Sequence, residues 1–257
     1  MYLNKMNLNG KNAVVTGGGR GIGLSCVDAL SEAGANVIII DFDEQSAESG
    51  RQIMLSKGVE VQVEILDITN SMQVTSTAQK LNKLFGHIDI LINNAGIARS
   101  ETPAEIVSDE HWLNVIDVNL NGLFWCCRAF GKFMLENKSG SIVNIGSMSG
   151  IIVNKPQEQA YYNASKAAVH HLTKSLGAEW ARRGVRVNAV APTYINTPLT
   201  AFAKSNEKMF NTWLEMTPMG RLGEPDEIAS VVLFLASDAS SLLTGSIIVA
   251  DGGYTCW

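Results

Sequence analysis

Three observations predict an α/β fold with a parallel sheet covered by helices on both faces. Short apolar runs alternate with longer amphipathic stretches along nearly all of the 257 residues. The first run leads directly into a glycine-rich turn. Polar or small residues with chemical potential recur at the ends of the apolar runs. Parallel strands need crossover connections, and a sheet buried on both faces reads as continuous apolar segments rather than alternating ones.

The elements follow in order. Asn12 to Thr16 reads as a buried strand, followed by Gly17-Gly18-Gly19-Arg20-Gly21-Ile22-Gly23 and a helix from Leu24 to Ala33. Asn36 to Asp41 is the second strand and ends in an acid. This strand–glycine turn–helix–strand unit suits a dinucleotide. Glycines let the backbone turn tightly and let a pyrophosphate approach the amides of a helix N-terminus. Asp41 stands near the offset expected of an acid that binds the adenosine ribose hydroxyls. The turn departs from the strict G-x-G-x-x-G spacing; its place between strand and helix carries the reading.

A helix from Glu44 to Ser56, a strand from Glu60 to Leu66 and a helix from Ser71 to Phe85 come next. Ile88 to Ile92 then forms a strand that runs into Asn93-Asn94-Ala95-Gly96. One long helix is expected from Asp109 to Glu136. It carries Asn119 among apolar neighbours, and two readings stay open there: a cap or kink, or a functional amide. The strand Ser141 to Ile145 ends at Gly146-Ser147-Met148-Ser149, and a helix from Gln159 to Arg183 is closed by Gly184. The strand Val185 to Val190 precedes Pro192-Thr193-Tyr194-Ile195-Asn196-Thr197-Pro198. Residues 195–220 are expected to form short amphipathic helices folded over the site as a lid inserted after strand six. Pro225 opens a further helix to about Ser237, and Ser246 to Ala250 is the last strand. With no repeat or linker, residues 1–257 read as one domain.

In open sheets of this kind ligands bind beyond the carboxyl ends of the strands. The Gly17 turn, Asp67, Asn93, Ala95, Gly96 and Ser147 all fall at such ends. On the helix after Ser147, Tyr162 and Lys166 share one face, a turn apart. A nearby ammonium favours a phenolate, so the pair is a candidate acid/base for an alcohol oxygen. No nucleophile elbow is present, which disfavours a hydrolase.

Composition excludes other classes. The net charge of −5 gives no basic surface for nucleic acid. No apolar run approaches the length of a membrane span, and the first residues lack the apolar centre of a signal peptide. Cys26, Cys126, Cys127 and Cys256 show neither metal-ligand spacing nor a disulfide framework, so no metal is expected and a reducing, cytoplasmic location is. The Cys126-Cys127 pair fits two faces of a buried helix. The aromatic end, Trp257, is expected to pack against a neighbouring subunit.

Taken together, Thr16-Gly17-x-x-x-Gly21-x-Gly23, Asn93-Asn94-Ala95-Gly96, Asn119, Ser147 and Tyr162-x-x-x-Lys166 resemble the short-chain dehydrogenase/reductase family, over about Leu8 to Trp257. The resemblance implies a single Rossmann-type doubly wound domain, a seven-stranded parallel sheet in the order 3-2-1-4-5-6-7, a nicotinamide cofactor and a homotetramer. It also implies roles. Tyr162 exchanges the proton, Lys166 lowers its pKa and holds the nicotinamide ribose, Ser147 orients the substrate oxygen, and Asn119 holds a relay water. Gly17, Arg20, Gly21, Ile22 and Gly23 line the cofactor phosphates and ribose. Asp67 and Ile68 flank adenine, with Asn93, Ala95 and Gly96 close by. Pro192, Ile195 and Thr197 hold the carboxamide end.

Two departures stand out. Gly146 replaces the first serine of a common Ser-Ser pair, and Thr193 replaces a common glycine. Ser149 is a second candidate for the active serine, because the interval from Ser147 to Tyr162 is slightly long; the strand-end position favours Ser147. Asp41 should accept a ribose diol and repel a 2′-phosphate, whereas Arg20 points the other way; the carboxylate predicts NAD over NADP. The segments Gly146 to Gln157, Ala191 to Ile195, Thr217 to Arg221 and Tyr254 to Trp257 are similar to bacterial polyol dehydrogenases of the family. A polyol or ketose substrate is therefore expected, with Ser149, Asn154 and Gln159 offering polar partners beside Ser147 and Tyr162. The alternatives are a 3-oxoacyl-carrier-protein reductase using NADPH and a non-catalytic dinucleotide-binding protein.

Overall fold

The computed structural model describes residues 1–98 and 102–257, with Lys204 described by its backbone alone. Apolar β-branched runs form the strands, because such side chains pack well on a pleated surface. They are β1 (Asn12–Thr16), β2 (Asn36–Asp41), β3 (Gln62–Ile65), β4 (Ile90–Asn93), β5 (Gly140–Ile145), β6 (Val185–Pro192) and β7 (Ile247–Ala250). All pairings are parallel, and the order is β3-β2-β1-β4-β5-β6-β7. The expected Rossmann-type sheet is therefore present. The reversal of direction between β1 and β4 opens the crevice in which such sheets bind ligands.

Helices α1 (Gly21–Glu32), α2 (Glu44–Ser56), α3 (Ser71–Phe85), α4 (Asp109–Ile116), α5 (Leu123–Glu136), α6 (Ala160–Trp180), α7 (Glu207–Met216) and α8 (Pro225–Ala236) complete the frame. Strand alternation divides the core. Ala13, Val15, Val37, Ile39, Ile90, Ile92, Val143 and Ile145 face α1, α2 and α8. Val14, Ile38, Ile40, Leu91, Ile142, Val185 and Val187 face α3, α5 and α6. Cys126 and Cys127 are both buried in the second layer, so their expected separation onto two faces does not reach solvent on either. Met148, Tyr194, Ala203, Met209, Trp213 and Tyr254 make a third, smaller cluster under α7.

The expected single helix from Asp109 to Glu136 is interrupted. A π-helical stretch, Asp117–Gly122, separates α4 from α5 and carries Asn119. One extra residue in a turn frees backbone groups and re-aims a side chain, and such turns concentrate at functional sites. Gly184 closes α6 and its following 3₁₀ turn in the left-handed region, φ 82°. Trp257 donates its indole N–H to the Met216 carbonyl at 3.1 Å, while 79% of the residue stays exposed. Among the described residues no helix is long and apolar enough to cross a membrane.

Candidate active site

The site lies along the carboxyl edge of the sheet. At the end of β1, Gly17 (φ 61°) and Gly21 (φ 55°) take left-handed conformations that only glycine adopts without strain. The chain thereby folds back and aims the N-terminus of α1 along the edge. Gly23 is required for closeness: a Cβ there would sit on the Gly17 carbonyl, 2.8 Å from its carbon. Gly23→Ala is expected to cost about 1–3 kcal/mol, by the usual penalty for overpacking, read as a lower Tm. Asn94 fastens the turn to β4, its Nδ2 donating to the carbonyls of Thr16 (3.0 Å) and Gly17 (2.9 Å). The amides of Asn94 and Ala95 both donate to Thr16 Oγ1 at 3.1 Å. Tight glycines, a helix N-terminus and a crevice at the strand reversal fit a dinucleotide.

Asn119 is fully buried and acts as a splint. Its Oδ1 accepts from the Ile97 amide at 2.8 Å, and its Nδ2 donates to the Ile97 carbonyl (2.9 Å) and to Ser165 Oγ (3.1 Å). It thus ties the segment after β4 to α6, the helix that presents Tyr162 and Lys166. Its amide lies behind the cavity wall.

One cavity gathers Ile22, Gly96, Ser147, Ser149, Gln159, Tyr162, Lys166, Pro192, Ile195 and Thr197. Sequence reasoning placed each of these there. Other expected residues run along the same edge outside it: the Gly17 turn at β1, and Asp41 at the end of β2. Asn93 turns into the core, donating to Asn144 Oδ1 at 2.9 Å and to Cys127 Sγ at 3.1 Å. Its neighbour Asn94 faces the cavity instead. Asp67 is exposed and accepts from the amide (2.9 Å) and hydroxyl (2.8 Å) of Thr69. Asn154 is buried behind the wall. Its Nδ2 donates to Tyr194 Oη at 2.9 Å, and its Oδ1 accepts from Gln159 Nε2 at 2.9 Å.

Residues that sequence reasoning missed close the far side. Tyr194 and Trp213 stack in parallel, centroids 3.7 Å apart. Gln157 joins them, donating to Tyr194 Oη (2.9 Å) and accepting from Trp213 Nε1 (3.1 Å). Tyr194 belongs to a segment already singled out, and Trp213 to the expected lid; that they would meet was not written in any local pattern.

Electrostatically the centre is tense. Burial raises the Tyr162 pKa above the usual phenol value, and a hydrogen bond with Ser147 pulls it down. The expected help from Lys166 is not among the causes. Its Nζ donates to the Ile145 carbonyl at 2.9 Å and stands 5.7 Å from the centroid of the Tyr162 ring. Desolvation lowers Lys166 itself to about 8. Ser147 Oγ donates to Ser149 Oγ at 3.0 Å and accepts from the Ser149 amide at 3.1 Å, so the two candidate serines are linked. A phenol, a serine pair and a buried lysine around one cavity can bind a hydroxyl or carbonyl oxygen and move a proton to or from it.

Residues 17–255 match the family described as Enoyl-(Acyl carrier protein) reductase. Galactitol 2-dehydrogenase of Rhizobium johnstonii is 53% identical over 256 residues, covering 100% of this chain and 99% of that protein. A short-chain type dehydrogenase/reductase from Mycobacterium marinum is 36% identical, with a TM-score of 0.95 and full coverage of both chains. A gluconate 5-dehydrogenase from Burkholderia cenocepacia, in complex with NADP and tartrate, is 34% identical with a TM-score of 0.94 and full coverage of both.

The expected preference for NAD over NADP is corrected by these likenesses. Besides the Burkholderia enzyme, a structure from Beutenbergia cavernae described as an NAD(P)-dependent gluconate 5-dehydrogenase, 35% identical with a TM-score of 0.92, holds bound NADP at low occupancy. The geometry explains why Asp41 was overweighted. Its carboxylate is turned to backbone donors, accepting from the amides of Gly19 (3.3 Å) and Asp43 (3.2 Å). Arg20 is exposed at the mouth of α1. A carboxylate engaged with amides is a weaker bar to a phosphate than a free one, and an exposed guanidinium at the N-terminus of α1 suits a phosphate. With the sheet order, the serine–tyrosine–lysine cavity and these likenesses in hand, the chain belongs to the short-chain dehydrogenase/reductase family of NAD(P)-dependent oxidoreductases.

Proposed function

We propose that the protein interconverts a secondary hydroxyl of a polyol and the ketone of a ketose. The observation that carries this is the polar part of the cavity wall: Ser147, Ser149, Gln159 and Tyr162 supply hydroxyls and an amide, while apolar Met148, Leu199, Phe202 and Trp213 close the remainder, a lining that can hold a small ligand with more than one hydroxyl. The likeness to galactitol 2-dehydrogenase over the full length supports the same substrate class.

In oxidation, Ser147 holds the substrate oxygen and Tyr162, as phenolate, takes the hydroxyl proton. A bound nicotinamide cofactor, NAD or NADP, would supply the hydride acceptor for the carbon that becomes the ketone. Lys166, which donates to the Ile145 carbonyl, would turn to the ribose hydroxyls of a bound cofactor, and its charge would favour the phenolate only in that position. The Asn119 side chain braces α6 through Ile97 and Ser165, so a relay water linking Lys166 to solvent would be held by the backbone of the π-helical turn. Gly17, Arg20, Gly21, Ile22 and Gly23 hold phosphates and ribose, Asp67 and Ile68 border the adenine, and Gly96, Pro192, Ile195 and Thr197 border the nicotinamide. Ser149 and Gln159 contact further hydroxyls, and Asn154 holds Gln159 in place.

Residues 195–220 act as a lid on one domain, pinned by the Tyr194–Trp213 stack. Trp213→Ala should raise KM for the polyol by about 10-fold with a smaller rise in the dinucleotide Kd, because Trp213 itself lines the cavity while Ile195 and Thr197 lie earlier in the same segment. The family resemblance favours a homotetramer as the working form, checked by light scattering of the purified protein, and a cytoplasmic location, checked by cell fractionation.

A panel of polyols, aldonates and ketoses with both cofactors, followed by absorbance of the reduced nicotinamide, tests the reading. Turnover of at least one polyol–ketose pair is expected. Silence across the panel with turnover of a 3-oxoacyl thioester would overturn it.

A further inference from the structure

The serine at the centre of the cavity sits on a turn bracketed by two glycines, Gly146 and Gly150, and both have the same neighbour. A Cβ on Gly146 would lie on the His170 imidazole, 2.7 Å from Cδ2. A Cβ on Gly150 would lie 2.8 Å from His170 Cε1 and 2.7 Å from the Lys166 carbonyl oxygen. His170 comes one turn after Lys166 on α6, so the helix that presents the tyrosine and lysine also drives this ring beneath the serine turn. The ring is buried, and its Nε2 accepts the Ser147 amide at 3.4 Å.

We propose that His170 is a positioning residue for Ser147, and that glycine stands at 146, where serine is common in the family, because the imidazole occupies the room a side chain would need. The inference deepens the reading given under Proposed function and rests on it for the role of Ser147. The hydrogen-bond geometry requires a neutral ring with Nε2 free to accept. Burial and the ammonium groups of Lys166 and Lys174 keep the ring neutral, lowering its pKa to about 4. With the Ser147 amide held from below, Oγ is left to Ser149 and to the cavity.

The consequence is a specific non-additivity. A side chain at 146 and a ring at 170 exclude each other, so changes at the two positions must compensate. Gly146→Ser alone should lower kcat by about 10² or more, the scale expected when a reacting group is displaced by an ångström. Adding His170→Ala to it should restore at least about 10-fold, since contacting residues are not additive. His170→Leu alone should lower kcat by about 10-fold with the dinucleotide Kd unchanged, and His170→Gln, which keeps an acceptor near the Nε2 position, should recover most of the loss.

The experiment measures kcat, KM and dinucleotide Kd for these four variants and the wild type, together with amide hydrogen exchange of the peptide holding Ser147. Faster exchange in His170→Leu, protection regained in His170→Gln, and rescue of Gly146→Ser by His170→Ala are expected. A double variant no better than Gly146→Ser, or His170→Leu with unchanged exchange at Ser147, would overturn the proposal. The exchange and dinucleotide-binding measurements need no substrate. A wild type silent on polyols therefore sinks the substrate reading and leaves the His170 test standing.

Discussion

Replacing Tyr162 by Phe is expected to lower kcat for polyol oxidation by about 10³-fold or more, within the range attributed to a positioned acid/base. The ring and its packing remain, so the dinucleotide Kd should move by only a few-fold. The wild-type pH profile carries the same information. Burial raises the phenol pKa, so the phenolate needed for oxidation is scarce at neutral pH. Oxidation should therefore accelerate as pH rises, by at most tenfold per unit. Ketone reduction, which needs the protonated phenol, should persist through neutral pH and fall only in the alkaline range. A Tyr162→Phe enzyme that keeps wild-type kcat would remove the phenol from the mechanism.

The second large effect concerns Lys166→Met, which should abolish most activity and stabilise the fold. Lys166 is buried, and desolvation takes its pKa from 10.5 to about 8. Below about pH 8 the folded protein keeps a charged ammonium at a cost. Between about 8 and 10.5 the unfolded chain binds more protons than the folded one, so stability rises with pH across that window. The shift corresponds to a burden of up to about 3 kcal/mol at neutral pH. Methionine removes the charge but leaves the Ile145 carbonyl without its donor, so a net gain of about 1–2 kcal/mol is expected. Urea unfolding at pH 7 and pH 10 checks both parts: the variant should be the more stable at pH 7, and its advantage should shrink at pH 10. An unstabilised variant would mean that the lysine charge is well accommodated.

Much of this was legible because it is local. Val14-Val15-Thr16 before the glycine turn, and Ile38-Ile39-Ile40-Asp41 after α1, declare buried parallel strands by their composition. Tyr162 and Lys166 declare a shared face by spacing. Asn119 was noticed as a polar residue among apolar ones, but not as a π-helical interruption; one extra residue shifts the apolar stripe by about 100°, a slip that the many apolar residues on both sides conceal. Asp41 misled because the sequence supplies a charge and an offset but not a direction, and in the fold its oxygens meet the Gly19 and Asp43 amides. Gly146 looked like a simple departure from a family pattern. Its reason lies 24 residues further on in His170, which only the packing of α6 against the serine turn brings into contact.

The small cluster of Met148, Tyr194, Ala203, Met209, Trp213 and Tyr254 belongs to neither layer flanking the sheet. Selection can therefore rework the roof of the cavity without disturbing the foundations. Transplanting the three stretches that build it, around Met148, from Tyr194 to Trp213 and around Tyr254, from a relative with different taste should carry over that taste as a package, while the glycine turn at β1 goes on as before.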